Sequence, residues 1–383
     1  MLYREYGQTG KKVSLLGFGG MRFAHIDNHD ECIRTMITAA EGGVNYFDTA
    51  PGYFETRSET VFGKGFAELK RRNLPFYTAT KTFASDHDEI RREIDAQLKR
   101  MNIPAIDFYH IWCITSLDGW RDRKKNGILN TFSKLKEEGL IRHICVSSHL
   151  INEEIKELLM EGVFEGVLFG YSAYNFRTRQ AAFDAIREKK LGAVVMNPLG
   201  GGVIPQNSRQ FTFLQRSNEG IVAAALRFLW DHAEITSTLV GFETAAHVQE
   251  ALAAMENYQP RTEAELAAIK TGNHNSFEGI CTGCAYCVDS ERGMCPQGIP
   301  IPKFMDAYNQ KILQTKGDND PIGNRLHWHW SMDHTAAGKC TACGQCEEAC
   351  TQHINIIERL REIAASKDNG AAKGNGADKG SDG

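Results

Sequence analysis

The 383-residue chain has no run of roughly 18 uncharged apolar residues, so a membrane-spanning helix is not expected. Its first stretch, "MLYREYGQTGKKVSLLGFGG", lacks the basic segment, apolar core and small-residue cleavage site of a secretory leader, which points to a cytoplasmic protein. An excess of either charge is missing too. Lys and Arg number 44 against 48 Asp and Glu, which gives neither nucleic acid nor an anionic membrane a reason to bind. The cysteines are eleven, an odd number, and Cys32, Cys113 and Cys145 lie singly within helix-like or strand-like segments. That pattern excludes a disulfide framework and fits a reducing compartment.

Eight short apolar runs are present: "KVSLLGFGG", "NYFDTA", "FYTATK", "DFYHIWCI", "HICVSS", "GVLFGYSA", "GAVVMNP" and "STLVGF". Between them lie amphipathic segments such as "DEIRREIDAQLKRM" and "RQAAFDAIREKK", with apolar residues three and four apart. Strand followed by helix, repeated eight times, predicts an α/β protein whose strands close into a (β/α)8 TIM barrel over residues 1–258. The preceding "LYREYGQTGKKVSLL" reads as a hairpin closing the bottom of that barrel. A helical linker is expected over 259–280, a small cysteine-rich domain over 281–366, and a disordered tail over 367–383, where no large apolar residue occurs.

The other eight cysteines form two runs. Cys340, Cys343, Cys346 and Cys350 read C-x2-C-x2-C-x3-C, whereas Cys281, Cys284, Cys287 and Cys295 read C-x2-C-x2-C-x7-C with Pro296 following. Three thiolates at intervals of three wrap one corner of an iron-sulfur cube while a fourth arrives from a distance. Zinc is the rival, but a zinc ribbon has no use for a third cysteine at the same interval in both runs. The spacing therefore predicts two 4Fe-4S clusters and electron transfer. The pattern resembles two-cluster ferredoxins, and that resemblance implies that the last cysteine of each run ligates the other cluster. One set would be Cys281, Cys284, Cys287 and Cys350, the other Cys340, Cys343, Cys346 and Cys295. Thr351 stands where a proline usually follows.

Polar residues close several strands. Asp48 ends "NYFDTA", Tyr53 follows in "APGYFETRSE", and Lys81 ends "FYTATK", all at the barrel face where active sites lie. An Asp beside a Lys holds the ammonium, and the ammonium favours a nearby tyrosinate, which makes Tyr53 a proton donor to a carbonyl oxygen.

"NYFDTAPGYFETRSETVFGKG", with "TATK" and "CVSSH", resembles the aldo-keto reductase family, and the cysteine runs resemble its branch with a C-terminal ferredoxin-like domain. The resemblance implies a catalytic tetrad that includes Asp48, Tyr53 and Lys81, and reduction of a small-molecule carbonyl, or oxidation of an alcohol, with NAD(P)H. The family's histidine on the fourth strand is replaced here by Trp112. His110, two residues earlier on the same side of the strand, is either its substitute or a core histidine one layer deeper. Cofactor contacts implied by the resemblance are Ser147 and Ser148 at the nicotinamide, Asn175, the loop Gly200, Gly201 and Gly202, and Glu250 at the adenine. Tyr171 holds the family's glutamine position, and Met196 the place of a stacking aromatic. His247 stands where an arginine usually grips a 2′-phosphate.

Two further stretches invite a role. "RLHWHWSMDH" reads as a shield over a cluster, with a metal site as its rival, and "RDRKKNG" as a solvated helix entry or a basic patch for an acidic redox partner. Against the enzyme reading stands an electron-transfer protein whose barrel has lost nicotinamide-dependent carbonyl reduction and docks a redox partner.

Overall fold

A computed structural model describes residues 1–256, 258–272, 279–288, 294–313 and 320–365. The tail expected from residue 367 lies outside the described residues. The chain divides into two compact units, Met1–Ser276 and Phe277–Gly383.

In the first unit, strands β1 (Tyr3–Glu5) and β2 (Lys12–Ser14) form an antiparallel hairpin with Tyr3 opposite Ser14. Eight further strands follow: β3 (Leu16–Gly19), β4 (Tyr46–Asp48), β5 (Tyr77–Thr82), β6 (Ile106–Ile114), β7 (Ile141–Ser148), β8 (Gly166–Gly170), β9 (Gly192–Met196) and β10 (Ser237–Gly241). Each pairs in parallel with the next, and β10 pairs with β3, so the sheet closes on itself. Each of the eight apolar runs read from the sequence contributes one of these strands.

The intervening helices follow from their patterning. His87–Met101 begins at Asp86, whose carboxylate accepts from the amides of Asp88 and Glu89, both at 3.0 Å. It buries Ile90, Ile94, Gln97 and Met101, one helical stripe, and ends at Asn102 with φ +52°.

The barrel interior is filled in layers. Tyr6, Tyr46, Ala79, Phe108, Cys145, Leu168, Val194 and Leu239 form its lower core. Tyr6, just past β1, enters from the hairpin and is fully buried. Its ring occupies space that only glycine leaves free, because a Cβ on Gly166 or Gly192 would lie 2.2 or 2.1 Å from it. Burying such a ring stabilises the barrel bottom by about 1.5–3 kcal/mol. The helix Glu263–Gly272, read as part of a linker, belongs to the barrel unit. It is preceded by Arg261, which donates to Asp231 at 2.7 Å and to the Leu214 carbonyl at 2.5 Å.

The second unit is helical among the described residues. Ile301–Ile312 and Ile356–Ala365 pack Phe304, Met305, Leu360 and Ile363 into a core shared with Cys287, Cys346 and Cys350.

Candidate functional site

Strand alternation sets which residues face the barrel axis. Asp48 and Lys81 both point inward, and both Asp48 carboxylate oxygens lie 2.6 Å from Lys81 Nζ. Each side chain is only 1% exposed. Burial pushes the Lys81 ammonium below its usual pKa, and Asp48 pulls it back up. The ammonium also lies 5.5 Å from the centroid of the Tyr53 ring. Tyr53, Asp48 and Lys81 thus come together at the C-terminal mouth, as their positions in the sequence suggested.

The loop carrying Tyr53 is unusual in its backbone. Phe54, Glu55 and Thr56 adopt φ of 51°, 54° and 71°, three successive non-glycine residues in the left-handed region. Each costs roughly 1–2 kcal/mol, strain that persists only where surrounding contacts hold it. One such contact is the Thr56 amide, which donates to the Pro51 carbonyl at 2.8 Å.

His110 lies deeper. It is opposite Lys81 in the β5–β6 register, fully buried, with Nε2 3.4 Å from the Tyr46 hydroxyl. Burial and the Lys81 cation hold its pKa well below the ordinary value, so it is neutral. Trp112, one layer up on the same side, is the residue beside Tyr53: the two rings meet edge-on at 5.9 Å. Phe83 stacks on the indole at 4.0 Å, and Arg123 donates to the Trp112 carbonyl at 2.7 Å. A break in the β6–β7 register between Ile111 and Ile114, with Cys113 at φ +59°, turns this strand end. Nothing in the sequence pattern distinguished Phe83, and Arg123 stood out only as part of the basic stretch "RDRKKNG".

The cofactor candidates divide. Ser147, at the inward-facing end of β7, is 1% exposed, and its hydroxyl has no hydrogen-bond partner among the described residues. A buried hydroxyl of this kind fits an amide ligand. Ser148 instead accepts from the Leu150 amide at 3.2 Å. The Asn175 side-chain oxygen accepts from the Ser172 amide at 2.8 Å. Gly200, Gly201 and Gly202 all take positive φ, and Glu250 is exposed on the outer helix Ala245–Met255. Tyr171 is not at the barrel axis at all. It lies in the helix layer, its hydroxyl 3.0 Å from His232 Nε2.

In the second unit thiols from both runs lie close together: Cys281, Cys284, Cys350 and Cys346 all act electrostatically on Cys287, and burial pushes the Cys281 thiol up to about 12. Cys295, Cys340, Cys343 and Cys346 line one cavity with Ile299, Ile301, Ile357 and Leu360. Four thiols lining one largely apolar cavity fit the donor set of a 4Fe-4S cluster. No group of three or more His, Cys, Asp or Glu among the described residues converges as a site for a single metal ion.

The two remaining stretches find partners within their own units. Arg325 and Trp330 both donate to Asp306 Oδ2 at 2.8 Å, tying "RLHWHW" to the helix Ile301–Ile312. The cations of "RDRKK" are engaged: Arg121 with Asp118, Lys124 with Glu161, Lys125 with Asp122, and Arg123 with the Trp112 carbonyl. No helix among the described residues is long and apolar enough to cross a membrane.

A closed parallel barrel with a buried Asp-Lys pair under a tyrosine, followed by a cysteine-built domain, defines an oxidoreductase architecture. The aldo/keto reductase family model matches residues 15–272, and the chain belongs to that family. A 4Fe-4S dicluster domain model matches residues 280–355, so the second unit is a C-terminal ferredoxin-like iron-sulfur domain. L-galactose dehydrogenase of Arabidopsis thaliana is 26% identical over 282 residues, 66% of this chain and 87% of its own. The NADH-specific methylglyoxal reductase of Escherichia coli is 26% identical over 199 residues, 45% of this chain and 58% of its own. Among solved structures, an aldo-keto reductase from Bacillus halodurans in its holo form shares the fold, with TM-score 0.62 and 24% identity, over 71% of this chain and 96% of that one.

Proposed function

We propose that the protein interconverts a small-molecule carbonyl and its alcohol in the barrel, and that its second unit carries two 4Fe-4S clusters. The buried Lys81–Asp48 pair beneath Tyr53 carries this reading. In the reducing direction the Tyr53 hydroxyl gives its proton to the substrate oxygen. Lys81, held charged by Asp48, stabilises the tyrosinate left behind. Ser147, with its unused buried hydroxyl, would hold the carboxamide of a nicotinamide, which when bound would supply hydride chemistry beside Tyr53. The exposed His247, in place of a phosphate-gripping arginine, favours NADH, as does the relative named for NADH specificity. The name of the Arabidopsis relative supports alcohol oxidation as the reverse direction.

Clusters bound by the two sets of four thiols would pass one electron at a time, and a redox partner protein would exchange those electrons. The discriminating experiment is Tyr53→Phe in the iron-loaded protein. Carbonyl turnover with NADH should fall about 10²–10⁴-fold while the iron-sulfur absorbance stays unchanged. Unchanged turnover would remove Tyr53 from the chemistry. A second reading has its own observation: Trp112 occupies the position beside Tyr53 where the family has histidine. On that reading the barrel only docks a redox partner, and the wild-type protein would turn over no carbonyl with either nicotinamide.

A further inference from the structure

We propose that Thr351, supported by Arg359, sets the reduction potential of the cluster held by Cys281, Cys284, Cys287 and Cys350 above that of its neighbour, by donating its hydroxyl proton to the Cys284 sulfur. This rests on the two-cluster reading above.

Thr351 directly follows Cys350, where the sequence pattern leads one to expect proline, which has neither hydroxyl nor amide hydrogen to offer. It is 1% exposed, so this hydroxyl is not shared with solvent. Its Oγ1 lies 3.5 Å from Cys284 Sγ, across the gap between the two cysteine runs. Gln352 Nε2 donates to the same oxygen at 3.3 Å. A ligating thiolate has no proton to give, so in this contact the donor is the Thr351 hydroxyl, which accepts from Gln352.

Two backbone amides add to the same four, Gly283 to Cys281 Sγ and Ile354 to Cys350 Sγ, each at 3.5 Å. A cation stands on this side as well. Arg359 donates to the Gly279 carbonyl at 2.6 Å, two residues before Cys281, and its guanidinium lies over the Tyr308 ring at 4.6 Å.

Asp306 also acts on Cys281, and thiols of both sets share one apolar core, so the contrast with the other four rests on the donors to sulfur and on Arg359. The cavity of those other four is lined by Ile299, Ile301, Ile357 and Leu360, and the carboxylate of Glu347 follows Cys346 directly, accepting from the Ile357 amide at 2.8 Å. Reduction adds one negative charge. Donors to sulfur and a nearby cation stabilise it, whereas an apolar enclosure and a carboxylate oppose it.

The test uses the full-length, iron-loaded protein under anaerobic conditions, titrated with dithionite and followed by electron paramagnetic resonance. Wild type should hold about eight irons and show two reduction waves. Thr351→Val should move only the upper wave to more negative potential, and Thr351→Ser should leave it in place. Arg359→Gln, which keeps Thr351, should shift the same wave in the same direction and so locates it on the first four even if the valine variant sheds iron. Movement of the lower wave, or no movement with eight irons retained, overturns the proposal. So does iron loss from the valine variant while Arg359→Gln leaves both waves unmoved. About four irons in wild type would instead overturn the two-cluster reading itself.

Discussion

The indole of Trp112 meets the phenol ring of Tyr53 edge-on, their planes 88° apart and their centroids separated by 5.9 Å. Where the family places an imidazole beside its tyrosine, this barrel has an aromatic wall, fixed from behind by Phe83 at 4.0 Å. Edge-to-face pairs of this kind are worth about 0.5–1.5 kcal/mol beyond their burial. The wall packs edge-on against the Tyr53 ring and so limits its orientation.

Gly52 makes room for that wall. A Cβ at this position would lie 2.9 Å from Cη2 of the indole, nearer than real Cβ contacts come. Gly52→Ala should therefore destabilise the barrel by about 1–3 kcal/mol and lower turnover by displacing Tyr53. Trp112→Phe, which shortens the ring, should relieve the clash. A double-mutant cycle by thermal unfolding should give a coupling of at least about 0.5 kcal/mol, and strict additivity would show that the two residues do not press on each other.

The Lys81–Asp48 pair makes a different forecast, because both partners are removed from water. Lys81→Met leaves the Asp48 carboxylate buried without its cation and should cost about 3–5 kcal/mol in urea unfolding. Adding Asp48→Asn removes the orphaned charge, so the double variant should regain a large part of that loss. Carbonyl turnover should stay low in both, since the ammonium that stabilises the tyrosinate is gone. A double variant no more stable than Lys81→Met would mean that packing, not charge, dominates the site.

What could be read in advance depended on how local the physics was. The eight strands were visible because each buries a short apolar run, and Asp48 and Lys81 because a charged residue ending such a run is conspicuous. Cysteine spacing is equally local. By contrast, Tyr6 fills the barrel bottom only because Gly166 and Gly192, some 160 to 190 positions later, leave it space. The depth of His110 depends on its register with Lys81, and the donor at Cys284 on a threonine 67 positions away. The left-handed turn at Phe54–Thr56 carries no glycine to announce it. Tyr171 was aligned by position with a cofactor contact, yet the chain leaves β8 at Gly170 and turns that ring outward to His232.

That outward histidine predicts how the barrel responds to acid. His232 is 5% exposed, with Nδ1 2.9 Å from the Phe228 carbonyl and Nε2 3.0 Å from the Tyr171 hydroxyl. The neutral ring satisfies both: Nδ1–H donates to the carbonyl, and Nε2 accepts from the tyrosine. Burial, with the Lys270 and Arg4 cations adding to it, pushes its pKa down to about 3. An unfolded histidine titrates near ~6.5, so between these values the unfolded chain binds more protons than the folded one. The contribution is complete above about pH 6.5 and is lost as pH falls towards 3, by at most about 1.4 kcal/mol per pH unit. His232→Gln removes the titration. Its stability relative to wild type should therefore improve by about 2 kcal/mol between pH 6.5 and 5, read from the barrel's denaturant unfolding by circular dichroism. Parallel curves for the two proteins would show that the ring takes up its proton without leaving its place, and that the tyrosine hydroxyl reverses its hydrogen bond to accommodate it.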